Sequence, residues 1–390
     1  MSDSLWRIPL ADIDLGEPEI AAVTAVLRSR WLTMGEQTQA FEAAMAHKLG
    51  VRHAFAVANC TVALHLAYAA LGLETGDEVI MPALTFVATA NAATYTGAVP
   101  VFAEVCGPHD LTLDPADVAR HITPRTRAIA VMHYAGYPVD MGAMGDLARR
   151  HGLAVVEDAA HAPGATYGGR ALGTLGDVGC FSFFSNKNLA VGEGGMVVTD
   201  RNDLADRIRL MRSHGMTTLT WDRHRGHANS YDVVSPGFNY RMDEIRSALG
   251  LVQLGRLDAN NARRGALVAQ YRTLLADVPG ISVPFAQPHG PSAYHIMPVL
   301  LDPAVSRPAV IAALKAARIQ TSVHYPPIHL FSYYRERFGA GPGLLPITED
   351  IAARELTLPL YPTLDPADVV AVVAALRAAV AQAHAVAAPC

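Results

Sequence analysis

The spacing of apolar residues predicts the elements of this chain before any single residue is considered. "EPEIAAVTAVLRSRWL" places Ile20, Val23, Thr24, Leu27 and Trp31 on one face of a helix, the period of an amphipathic surface helix. "QAFEAAMAHKLG" repeats the period with Phe41, Met45 and Leu49 and stops at Gly50. The pattern then changes. "HAFAVAN" reads as a short strand, "TVALHLAYAALGL" as a helix directly after it, and "GDEVIMPALTF" as a turn, a strand and a loop. "TRAIAVMHY" and "LAVVEDAA" are unbroken apolar runs bounded by turn residues, as strands buried on both faces should be. Between them "DMGAMGDLARRHG" is a helix with a glycine stop, and "GCFSFFS" and "GGMVVTD" are two more strand-like runs. This alternation predicts an α/β fold with a mostly parallel sheet covered by helices on both faces.

From residue 244 the pattern becomes one long helix, to residue 275. A Pro-rich strand region, the helix "PAVIAALKAARI" and a final helix after "LDPADVV" follow. These predict a smaller C-terminal α+β domain, residues 251–390, joined through the long helix to a large domain, residues 1–250, that includes the N-terminal segment. There are no internal repeats or low-complexity tracts.

Composition narrows the class. The chain has 390 residues, 51% of them hydrophobic, enough for a large core, and its net charge of −5 gives no basic field for nucleic acid. Cys60, Cys106, Cys180 and Cys390 lie far apart, with neither zinc spacing nor a disulfide framework, and read as reduced cysteines of a cytoplasmic protein. "MSDSLWRIPLADIDLGEPE" lacks the basic and apolar regions of a signal peptide. The closest approach to a membrane span, "VVAVVAALRAAVAQAHAVAA", is interrupted by Arg377, Gln382 and His384 and reads as a packed terminal helix.

The chemistry begins with a scarcity. Lys and Arg total 31, yet the only lysines are Lys48, Lys187 and Lys315. Lys48 at a helix end and Lys315 in an alanine-rich helix suit solvated charges. Lys187 stands between the strand "GCFSFF" and the turn "GEGG", where a long exposed side chain has no obvious use. Arginine replaces lysine as a charge but not as an amine, because a guanidinium stays protonated and forms no Schiff base. Lys187 therefore points to covalent amine chemistry with a carbonyl, against the plain reading of a surface lysine.

Asp158 ends the apolar run "LAVVED", where open α/β sheets bind ligands beyond the carboxyl ends of their strands. Two readings stand for it: a helix N-cap, or the carboxylate that pairs with the cationic ring nitrogen of pyridoxal phosphate. "VANCTVALHLAYAA" runs from strand through a tight turn into a helix, and the first helical amides near Thr61 and Val62 suit a phosphate. Simple capping by Asn59 or Thr61 is the alternative. Ser182 could add a hydroxyl. Phe86, on a loop after a strand, is either a core aromatic or a ring stacked on a planar cofactor. "GGRALGTLGDVG" lacks the strand–GxGxxG–helix context of a dinucleotide site. The 16 histidines, His214, His224 and His227 among them, show no metal-ligand spacing, and no GxSxG elbow is present.

In this order, the pieces "WLTMGEQTQAFE", "ANCTVALHLA", "GDEVIMPALTFVATANA", "VVEDAAHAPGATYGGRALGTLGDVGCFSFFSNKNLAVGEGGMVVT", "GFNYRMDEIRSALGLVQL", "HYPPIH" and "LPLYPTL" resemble the DegT/StrS-type sugar aminotransferases. These are pyridoxal-phosphate enzymes of fold type I. The resemblance covers nearly the whole chain, and its central pieces are the specific ones. It implies Lys187 as the Schiff-base lysine and proton carrier, Asp158 as partner of the pyridine nitrogen, and Phe86 as the stacking ring. His161 matches a position near the ring hydroxyl where many members have glutamine. Thr61, Val62 and Ser182 match phosphate contacts, and Cys60 stands where a small residue such as glycine is common. Asn239 matches an asparagine that reaches the phosphate from the neighbouring subunit, which implies a homodimer with shared sites. Arg241 is the candidate for the donor's carboxylate, and Tyr325 and His329 are expected to border the sugar pocket. The implied reaction carries an amino group from an amino acid, glutamate first, through pyridoxamine phosphate to a nucleotide-linked 3- or 4-keto-deoxysugar. A keto-cyclitol or other small ketone is the alternative acceptor, and a non-catalytic regulator with the same fold is the distant one.

Overall fold

The computed structural model describes residues 5–218, 221 and 230–387. Seven strands form the main sheet in the spatial order His53–Val57, Gly195–Thr199, Val178–Ser182, Ala154–Asp158, Thr126–Met132, Glu78–Pro82, Val99–Ala103. The strand Gly195–Thr199 runs antiparallel to both neighbours and the other pairings are parallel, so the sheet is mostly parallel, as expected. Alternation along the strands explains why both faces are apolar. Phe55, Val57, Cys180 and Val197 pack under the helix Cys60–Leu71, while Ala56, Phe181, Met196 and Val198 pack on the other face with Phe41 and Met45 of the helix Glu36–Leu49. That second helix ends where the sequence predicts, at Gly50 with φ 71°, a left-handed position that glycine occupies without strain.

The first helix, Glu17–Ser29, departs from expectation. Ile20 and Leu27 are 58% and 53% exposed, whereas Glu19 and Val26 are buried. The face turned inward is chosen by polar contacts: Gln253 Nε2 donates to Glu19 Oε1 at 3.0 Å, and Arg256 pairs with the same oxygen.

The long helix Glu244–Leu275 spans two cores. Its Leu257 belongs to the core beneath the main sheet. Its Leu267, Tyr271 and Leu275 belong to a second core with Val299, Leu314, Leu356 and Val372, around an antiparallel sheet of Ile281–Ser282, Met297–Leu301 and Glu355–Leu358. The 250/251 division falls inside this helix. The N-terminal segment, expected with the large domain, packs on the second core instead: Ile8 is fully buried there and bridges Ile319. The final helix, Pro366–Ala387, is long and apolar enough over Pro366–Ala383 to cross a membrane, but its Val369, Val372, Val373 and Leu376 fill the second core.

One buried carboxylate sets the geometry at the carboxyl end of the main sheet. Glu157 is 0% exposed and accepts hydrogen bonds from the amides of Gly173 (2.7 Å), Leu175 (2.6 Å) and Gly176 (2.6 Å) and from His133 Nε2 (3.0 Å). The Val139 amide donates to His133 Nδ1, so the ring hydrogen sits on Nε2 and points at Glu157. This network ties the 173–176 turn to the strand that ends in Asp158. Glu157→Gln would place amide hydrogens opposite backbone donors, and it should lower unfolding stability by about 3 kcal/mol, measured by denaturant titration.

Candidate active site

Strand register brings the two residues singled out by sequence to one place. Asp158 ends its strand directly opposite Cys180 of the adjacent strand, and that neighbour continues through Ser182 to Lys187. A cleft of about 430 Å³ opens there, lined among others by Thr61, Phe86, Asp158, His161, Ser182, Lys187 and Tyr325. Seven positions expected from sequence thus share one cavity.

Asp158 is 4% exposed. Thr89 Oγ1 donates to its Oδ2 at 2.7 Å and the Ala160 amide to its Oδ1 at 3.1 Å. Its pKa is nevertheless raised, because burial outweighs these bonds and the attraction of Lys187 and His133. Lys187 lines the cleft and is half-buried there. Its amine sits deep enough that burial is the dominant influence, pulling its pKa down to about 8 against the opposing pull of Asp158 and Cys60. Among the described residues the only polar partner of its Nζ is His295 Nε2, at 3.4 Å. Carboxylate and amine therefore share one cleft without pairing, each pushed by burial against its charged form.

Three other groups complete the walls. His161 Nε2 lies 2.9 Å from the Tyr325 hydroxyl, and its Nδ1 is buried without a partner among the described residues. Burial, followed by Lys187 and His324, lowers the His161 pKa well below the ordinary value, so the ring is neutral. Phe86 is 56% exposed on the cleft rim, with its ring centroid 6.0 Å from that of Tyr325. Asn59 caps the helix Cys60–Leu71, its Oδ1 accepting the Val62 amide at 3.0 Å. Val62 itself does not line the cleft, so that amide, expected for phosphate, is committed to the cap, and the phosphate expectation falls on Thr61 and Ser182. Cys60 fits at the turn as a buried thiol, its pKa raised first by burial. Gly195 serves the same turn: a Cβ there would meet Asn59 backbone atoms at 2.5–2.7 Å.

Besides Val62, three expected residues lie outside the cleft. His329 does not border it: the side chain is 0% exposed and pairs with Glu349 Oε1 at 2.9 Å. The run "HYPPIH" brings Tyr325 in, but the 3-10 turn Ile328–Leu330 turns His329 into the core. Arg241 does not line the cleft of its own chain and donates to Ser213 Oγ at 3.0 Å. Asn239 is exposed and bridges Ser213. His224 and His227 lie outside the described residues. Among the described residues no cluster could hold a metal ion.

Thr89, His295, Asn188 and Asn261 also belong to the site and its backing, although the pattern of the sequence does not single them out. Thr89 carried a faint signal, a hydroxyl one helical turn after Thr85 in the loop-to-helix run that holds Phe86. The other three are placed by contacts between distant segments.

A family model described as the DegT/DnrJ/EryC1/StrS aminotransferase family matches residues 13–377. The spore coat polysaccharide biosynthesis protein SpsC of Bacillus subtilis (strain 168) is 42% identical over 377 residues, covering 95% of this chain and 96% of SpsC. DesI, solved in the presence of its TDP-sugar product, superposes with a TM-score of 0.87 at 34% identity, over 98% of this chain and 94% of DesI. Spr1654 of Streptococcus pneumoniae in its PLP-form superposes with a TM-score of 0.89 at 27% identity, over 96% of this chain and 99% of Spr1654. The chain belongs to the DegT/DnrJ/EryC1/StrS aminotransferase family.

Proposed function

We propose that this aminotransferase moves an amino group from glutamate to a keto sugar carried on a nucleotide, with pyridoxal phosphate held between Asp158 and Lys187. The carrying observation is the unpaired carboxylate and amine in one cleft. A cationic ring nitrogen facing Asp158 and an aldehyde carbon within reach of Lys187 would relieve both. The remaining donors fit the same group. The hydroxyls of Thr61 and Ser182 and the positive end of the helix Cys60–Leu71 suit its phosphate, Phe86 its ring face, and the unpartnered His161 Nδ1 a polar ring substituent.

Bound there, pyridoxal phosphate supplies an electron-withdrawing ring and an aldehyde that exchanges for an amine. The chain's own residues do the rest. Asp158, held by Thr89 and the Ala160 amide, would keep a proton on the ring nitrogen. Lys187 Nζ lifts the proton from the donor's α-carbon and redelivers it, for which it must be a free base; its lowered pKa leaves part of it neutral near physiological pH. Tyr325 and His161, joined to each other, would form a wall beside the bound ring.

The acceptor is inferred from relatives and from the open rim. DesI was solved with a TDP-sugar product and SpsC is named for polysaccharide biosynthesis. A nucleotide handle would lie outside the cleft past the exposed Phe86. We infer a homodimer in which Asn239 and Arg241 serve the neighbouring subunit's cleft, Arg241 binding the donor carboxylate; both lie outside their own chain's cleft.

Lys187→Ala and Lys187→Arg should each abolish the absorbance band of lysine-linked cofactor and reduce transamination about a thousandfold or more, measured with glutamate and a nucleotide-linked keto sugar. An active Lys187→Arg enzyme would sink the covalent reading. A free keto-cyclitol as sole productive acceptor would overturn the nucleotide-sugar assignment. Asp158→Asn should keep the cofactor but slow turnover about a hundredfold or more.

Cofactor capture should also report the amine. Only neutral amine attacks an aldehyde, and below its pKa that fraction grows about tenfold per pH unit. The rate at which cofactor-free protein takes up pyridoxal phosphate should therefore climb up to a pH of about 8 and level off above it. A climb that continues past pH ~10 would mean an ordinary lysine.

A further inference from the structure

Behind Lys187 a chain of hydrogen bonds fixes the state of one histidine. Asn261 Nδ2 donates to the Pro163 carbonyl at 2.8 Å, so Asn261 Oδ1 faces the other way and accepts from Asn188 Nδ2 at 2.7 Å. Asn188 Nδ2 also donates to the Ala293 carbonyl, at 2.6 Å, which uses both amide hydrogens and leaves Asn188 Oδ1 as an acceptor. That oxygen lies 2.9 Å from His295 Nδ1, so Nδ1 carries the ring hydrogen. Burial, then His161 and Lys187, lowers the His295 pKa well below the ordinary value, so the ring is neutral and Nε2 bears only a lone pair. Nε2 is the atom 3.4 Å from Lys187 Nζ. His295 is 3% exposed and does not line the cleft, so it meets the amine from behind. Arg264, itself 2% exposed, donates to the His295 carbonyl at 3.2 Å and to the Leu360 carbonyl at 3.0 Å, clamping the backbone.

We propose that His295 is a positioning residue for Lys187: its Nε2, aimed by Asn188 and Asn261, accepts an N–H of the lysine amine whenever that amine has no covalent partner, and holds Nζ against the back wall of the cleft. This rests on Lys187 being the reactive amine. A free lysine on four rotatable bonds would otherwise leave the reacting carbon between half-reactions, and a fixed acceptor restores it to one place. The acceptor also has a definite electrostatic sign. An ammonium donates a stronger hydrogen bond than a neutral amine, so His295 holds the Lys187 pKa above what burial alone would give. The other ionisable groups around Lys187 or lining its cleft are Asp158, Cys60, His161, Glu193, His324 and Tyr325.

The small number of lysines makes this measurable. In full-length, cofactor-free protein labelled with 13C at lysine Cε, three side-chain signals report Lys48, Lys187 and Lys315, and Lys187→Arg assigns the middle one. His295→Phe should move the Lys187 titration down by about one pH unit, and His295→Gln, which keeps an acceptor, should move it by less than half of that. Loss of packing alone would admit water and move the titration up toward the ordinary lysine value. An upward shift, or none, in folded His295→Phe protein overturns the proposal. A measurement on the unsubstituted chain needs no variant to fold: 15N imidazole spectra should show His295 as the Nδ1–H tautomer, and the Nε2–H tautomer overturns it. If Lys187→Arg retains transamination, the catalytic assignment of Lys187 fails, a result distinct from either His295 readout.

Discussion

The structure turns on the cost of keeping a carboxylate and an amine together in one cleft. Neither Asp158 nor Lys187 is neutralised by the other, and burial works against the charge of each. Such a pair is tolerated only if the surroundings hold both groups in place and if a ligand supplies what the fold withholds. The sheet does the placing. Asp158 and Cys180 are directly opposed on adjacent parallel strands, so the segment leading to Lys187 emerges beside the carboxylate. Thr89 and the Ala160 amide then fix the carboxylate, and His295 backs the amine.

Two adjacent acids show how strand geometry divides labour. Glu157 and Asp158 are consecutive, so their side chains point to opposite faces. Glu157 meets three turn amides and His133, and every demand of its carboxylate is met within the protein. Asp158 receives two donors and faces the cleft. The satisfied acid holds the scaffold and the under-satisfied one is available to a ligand, a distinction invisible in the letters "ED".

Much of the site was legible because it depends on local pattern. Apolar runs gave the strands, strand ends gave Asp158 and Ser182, and the scarcity of lysine gave Lys187; with Thr61 and Phe86, and with His161 and Tyr325 that only the family resemblance supplied, they share one cleft. What escaped was decided by partners far away in sequence. Ile20 and Leu27 form a correct helical stripe, but Gln253 and Arg256 capture Glu19 and turn the stripe outward. His329 sits four residues from Tyr325, but Glu349 draws it into the core. Val62 was expected to offer its amide to a phosphate, and the Asn59 cap takes it. Ile8 precedes the first helix but is buried with the C-terminal core.

The same long-range contacts make the reactive lysine depend on how the two cores dock. Asp158, Ser182 and Lys187 stand on the main sheet and its loops, but Tyr325, His324 and His295 come from segments beyond the long helix. Arg264 on that helix joins the His295 carbonyl to that of Leu360, and Asn261, one turn earlier, reaches back to Pro163 beside the cleft. A buried guanidinium is costly to desolvate, and burial lowers the Arg264 pKa to about 10. Its retention there is accounted for if the helix must register one core against the other to within hydrogen-bond tolerance. A shift of the helix by one residue would move Asn261 and Arg264 off their partners together and release Asn188, His295 and Lys187 in turn. The position of one amine is thus set by a helix that belongs to both cores.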